Sequence, residues 1–107
     1  MKLYDIIYDY ALIESSFAQQ YNIRLTKDEI SVPEFYRLLG SLNHKTALGR
    51  IILIRGEKDA KIIKNFGAFE KRIRQEWVNW LALDSGAKAS AVAGIDELQN
   101  TLFKAFG

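Results

Sequence analysis

Cysteine is absent from this chain of 107 residues, which excludes disulfides and thiolate chemistry and gives no sign of an oxidising compartment. Histidine occurs once, as His44, and no acid three or four residues away joins it in a metal-ligand pattern. Proline also occurs once, at Pro33, leaving long stretches free to be helical. Long apolar runs are missing. The longest, Ile51-Ile52-Leu53-Ile54, makes one helical turn and falls far short of a membrane span. Asp5 and Asp9 interrupt the N-terminal stretch, so a signal peptide is not expected and cytoplasmic synthesis is the default.

What is present is a globular composition. Hydrophobic residues make up 49% and aromatics 12%, enough for one domain with a modest core. The formal net charge is only +2, yet it is unevenly spread. Between Asn43 and Gln75 nine basic residues face three acids, a local charge of about +6.

Helix start and stop signals recur along the chain. Asp9 is a candidate N-cap, followed by Tyr10, Ile13, Phe17 and Tyr21 at helical spacing. Asn22 tolerates the left-handed conformation that ends a helix. Ser31-Val32-Pro33-Glu34 has the form of a capping box, opening a helix to about Ser41 that buries Phe35, Leu38, Leu39 and Leu42. Thr46 caps a third helix from Ala47 to Arg55, stopped by Gly56. Its β-branched run also fits a strand, but both end signals follow helix chemistry. Asp59 starts a short helical turn, broken at Phe66-Gly67. From about Ala68 to Leu83, Phe69, Ile73, Trp77, Trp80 and Leu81 form a wide apolar stripe.

The expected fold is therefore all-α, a small single domain of about five helices with an amphipathic C-terminal helix. Residues 1–83 form the helical core domain, 84–94 a small-residue linker or loose helix start, and 95–107 the C-terminal helix. One core is expected to hold Ile13, Phe17, Tyr21, Phe35, Leu38, Leu39, Ile51, Phe69, Ile73, Trp77 and Trp80.

No constellation points to catalysis or to a metal or cofactor, so the expectation is a protein that is not an enzyme. His44 falls in a short turn, and capping accounts for Thr46 without nucleophile chemistry. The pairs Asp5 with Asp9 and Asp28 with Glu29 are read as caps and surface charges rather than general acids and bases. Gly40, Gly49 and Gly56 are too scattered for a phosphate loop. Two binding patterns stand out. Ile95, Leu98, Leu102, Phe103 and Phe106 mark an apolar face that either completes the core or docks on another subunit or partner. Lys61, Lys64, Lys71, Arg72 and Arg74, with Trp77 beside them, are the residues with which the chain would hold a polyanion.

The stretch from Tyr4-Asp5 through Asp9, Ile13, Phe17, Gln19-Gln20-Tyr21, Asn22, Ile23 and Leu25-Thr26 also carries a resemblance, extended by Glu34 to Leu42. It resembles the C-terminal half of a family from phages and prophages of Gram-positive bacteria, encoded in the tail-morphogenesis region and similar to tail assembly chaperones. The resemblance covers roughly residues 4–83. Ser31-Val32-Pro33 stands where the family commonly has an aromatic pair. The resemblance implies a non-catalytic protein of the host bacterial cytoplasm, not expected in the mature virion. Its partners would be the tail tube or tape measure protein, with possible self-association. A small nucleic-acid-binding regulator of phage or prophage origin is the competing expectation, and no membrane partner is expected.

Overall fold

The computed structural model describes residues 3–91. Among them the fold is all-helical, with no strand. Five helices follow in order: α1 (Tyr10–Tyr21), α2 (Val32–Gly40), α3 (Ala47–Gly56), α4 (Ala60–Lys64) and α5 (Ala68–Ala82). Residues 85–91, expected as linker or loose helix start, are helical. Asp84 starts that segment, accepting the Ala87 amide on its carboxylate at 2.7 Å. The chain divides into two compact units, Met1–Arg74 and Gln75–Gly107.

Local chemistry sets the helix ends. Asn22 stands in the left-handed region at φ 56°, and the amides of Asn22 and Ile23 donate back to Ala18 and Phe17. Ser31 accepts the Glu34 amide at 3.2 Å, with Pro33 in the first turn of α2. Thr46 accepts the Gly49 amide at 3.1 Å, so the Ile51–Ile54 run is helix and not strand. Asp59 accepts the Lys61 amide and opens α4.

Asp9 departs from expectation. It occupies the N-cap position of α1, but its side chain makes no cap hydrogen bond. The carboxylate turns inward instead, toward a guanidinium from α3. The turn before α1 is held by Asp5, whose carboxylate accepts the Ile7 and Tyr8 amides, each at 2.9 Å.

The core of the first unit is the buried cluster Ile13, Phe17, Leu39 and Leu48, where α1, α2 and α3 meet. Tyr21, Phe35 and Leu38 pack against it half-buried. Phe17 lies 5.4 Å from the Phe35 ring, stacked, and 5.5 Å from Tyr21, edge-on. Ile51 is buried as expected. Phe69 is not a core residue: it is 62% exposed. The stripe of α5 begins with that phenylalanine, but only Trp77 and Trp80 are buried, and both lie in the second unit. Leu48 is the core residue that periodicity did not single out.

Candidate functional site

Most polar side chains of the resemblance motif hold backbone. The first N–H groups of a helix lack intrahelical partners. At α3 three of them are taken by side chains. Gln19 accepts from Ala47 (2.9 Å), Ser16 from Leu48 (2.9 Å) and Thr46 from Gly49 (3.1 Å). Ser16 is fully buried and its hydroxyl donates a hydrogen bond to the Leu12 carbonyl at 2.6 Å. Gln20 clamps the turn before α3, accepting the Asn43 amide and donating to the Ser41 carbonyl. The Tyr21 hydroxyl donates to the Leu38 carbonyl at 2.6 Å.

The far end of α3 is held as firmly. Arg55 meets Asp9 in a two-pronged ion pair at 2.8 and 2.9 Å. Their side chains are only 5% and 2% exposed. Arg55 also donates to the Leu3 carbonyl, and Asp9 accepts the Asp5 amide. The Tyr8 ring lies 5.8 Å from the guanidinium carbon. Arg74 donates to the carbonyls of Ile54, Arg55 and Glu57, at 2.8 to 3.3 Å. A cation at the C-terminal end of a helix also complements its dipole.

This framework answers two questions about candidate residues. Asp5 and Asp9 are engaged in a turn and an ion pair, not poised as an acid–base pair. Arg74, a candidate polyanion ligand, is half-buried against the end of α3. Lys61 and Lys64 lie exposed on α4, and Lys71 and Arg72 exposed on α5. Ile95, Leu98, Leu102, Phe103 and Phe106 lie outside the described residues. His44 is exposed in the turn before α3. Among the described residues no group of three or more His, Cys, Asp or Glu side chains is arranged to hold a metal ion, and no helix is long and apolar enough to cross a membrane.

Among the described residues an apolar surface is also open. Leu12, Ala47, Ile51, Leu53, Ile54 and Phe69 line an open groove of about 550 Å³ along the outer side of α3. Arg50 and Glu70 stand at it as its charged members. Leu53 and Phe69 are both exposed by more than half. Sequence periodicity missed this groove because it placed Ile51 and Phe69 in one core and gave Leu12, Leu53 and Ile54 no role. The buried Asp9 had left a usable signal: it falls on the stripe of Ile13 and Phe17, at i, i+4 and i+8, where an acid requires a buried partner.

No curated protein and no solved structure matches the chain significantly. A family model does: residues 1–77 match the bacteriophage Gp15 protein. That span includes the entire framework that holds α3 at both ends, and the chain belongs to the bacteriophage Gp15 protein family.

Proposed function

We propose that this phage protein is a tail assembly chaperone, or the frameshift-type C-terminal domain of one. It binds the tail tube or tape measure protein in the host cytoplasm, performs no chemistry and is absent from the mature virion. The observation that carries the reading is the contrast around α3. The polar groups of the motif are engaged in the fold, while the apolar groove with Leu53 and Phe69 is open. A non-enzymatic binding protein needs that distribution: a stiff helix, and an apolar strip on its outer side for an apolar segment of another protein. Membership of a phage family and the resemblance to tail-region proteins support this choice of partners.

Co-purification with the tail tube subunit and the tape measure protein tests the reading. The chain is expected to retain one or both, and Leu53→Asp with Phe69→Asp to lose them while keeping its helical content. Failure to capture either protein, or stable incorporation into purified virions, overturns it. Exposed Lys61, Lys64, Lys71 and Arg72 favour a second reading, nucleic-acid binding, although Arg74 is engaged elsewhere. Gel retardation that weakens with rising salt, in proportion to the phosphates neutralised, would replace the chaperone reading.

A further inference from the structure

A second groove, of about 540 Å³, lies between the start of α1, the loop after that helix, and α2. Tyr10, Val32, Phe35 and Tyr36 are among its apolar and aromatic walls, and Asp28 and Glu29 are its charged members. No cation of the described residues lines it: Arg24 and Lys27 belong to the same loop but are not among the walls. Val32 is 68% exposed and Tyr36 54%, so the groove is open. Its walls are fixed. Phe35 stacks on the buried Phe17 ring at 5.4 Å and meets Tyr36 edge-on at 5.5 Å, which ties the aromatic wall to the core. The Asp28 carboxylate accepts the Arg24 amide at 2.7 Å, and the Asp28 amide donates to the Arg24 carbonyl, so the turn pins this residue. Among the described residues neither Asp28 nor Glu29 has an ion-pair partner. A third carboxylate is close: burial, and then the charge of Glu14, raise the Tyr10 hydroxyl. Nothing in the chaperone reading uses this face.

Aromatic rings and unpaired carboxylates in one open groove, with no cation in its walls, define the chemistry of an occupant. An arginine fits that combination. Its methylene stem covers apolar surface, its planar guanidinium stacks on an aromatic ring, and its fork of donors meets carboxylates. Lysine is more strongly hydrated and gains less from the rings. A purely apolar segment would leave the two carboxylates beside it without compensation. The N-terminal end of α2 opposes a bound cation, but Glu34 in its first turn offsets that field. We propose that the α1–α2 groove receives an arginine from an otherwise apolar segment of another protein, its guanidinium held against Tyr36 by Asp28 and Glu29. The inference goes beyond the chaperone reading and does not depend on it.

Amide NMR titration of the purified full chain, with no tail protein present, tests it separately. The probe is a short blocked peptide carrying one arginine flanked by leucines. Saturable shifts are expected at the amides of Asp28, Glu29 and Tyr36. The same peptide with glutamine in place of arginine should bind the unaltered chain about tenfold or more weakly, and the lysine peptide should fall between the two. Asp28→Asn with Glu29→Gln keeps an acceptor for the Arg24 amide and should weaken the arginine peptide by a similar factor while barely changing the glutamine peptide. Tyr36→Ala should weaken it severalfold, with circular dichroism unchanged because Tyr36 is exposed. Leu53→Asp with Phe69→Asp should leave the titration as it was, so a failure of tail-protein capture and a failure of this groove are told apart. Absence of saturable shifts overturns the proposal. So does equal binding of the arginine and glutamine peptides, or binding whose shifts fall outside the α1–α2 groove.

Discussion

The inner and outer sides of α3 use the same helix in opposite ways. Toward α1, beside the apolar core, the polar contacts are one-to-one: Gln19 and Ser16 each meet a backbone amide and Asp9 meets Arg55. Outward, Leu53 and neighbouring Phe69 are large, apolar and open to solvent. Directional hydrogen bonds fix where a helix begins and how it is turned. Apolar area attracts without direction and suits a surface that must receive something else. The difference explains how a small domain can be well specified and still carry an open apolar groove.

The largest expected effect comes from breaking the buried ion pair. Asp9→Ala leaves the Arg55 guanidinium buried without its carboxylate, and should cost about 3–5 kcal/mol in urea unfolding. Removing both charges, as Asp9→Leu with Arg55→Met, should recover most of that loss. A single-variant loss below about 1 kcal/mol would mean that the pair is solvated in solution.

Gly49→Ala attacks the same inner side sterically. A Cβ there would stand 2.1 Å from the Asn43 carbonyl oxygen and 2.8 Å from the His44 Cα, both backbone atoms. The turn must shift or α3 must start elsewhere, for an expected cost of about 1–3 kcal/mol or more by thermal unfolding. Unchanged stability would show that the turn yields freely.

Ser16→Ala should cost about 1–3 kcal/mol, because it leaves the buried Leu48 amide without an acceptor. Amide exchange sharpens the test: the Leu48 N–H should lose protection before the rest of α3 does.

On the outer side the expected loss of stability nearly vanishes. Phe69→Ala should change folding by no more than about 0.5 kcal/mol, as expected for an exposed site. It should still reduce partner capture. A large loss of stability would place Phe69 in the core after all.

The smallest effect is electrostatic. Burial raises the Glu14 carboxyl, so the folded chain binds that proton more tightly than the unfolded chain does. The stability contributed by this group is full below its unfolded value and is lost as pH rises through the folded one. Glu14→Gln should therefore be slightly more stable than wild type at neutral pH. The gap should close on acidification through that window, as followed by thermal unfolding.

The sequence by itself determined the helices and their ends. Ser31, Thr46 and Asp59 cap where expected, Asn22 adopts the left-handed turn, and the β-branched run of α3 is helix. These are local decisions, made by side chains within a few residues of the backbone they bind. Ile13, Phe17 and Leu39 were legible as core because α1 and α2 each repeat apolar residues on one side. Only the tertiary structure decided what the polar residues do. Asp9 reads as a cap and is an ion-pair partner, because Arg55, 46 positions later in the chain, offers a stronger buried contact than its own helix amides do. Gln19 and Gln20, to which the sequence alone gave no structural role, hold the start of α3. Arg74 reads as one cation among many and closes its end. Phe69 reads as core and is exposed, since periodicity marks an apolar side of a helix but not whether another element covers it. Partners distant in sequence cannot be paired from spacing alone, and which apolar stripes stay uncovered is fixed only when the helices pack.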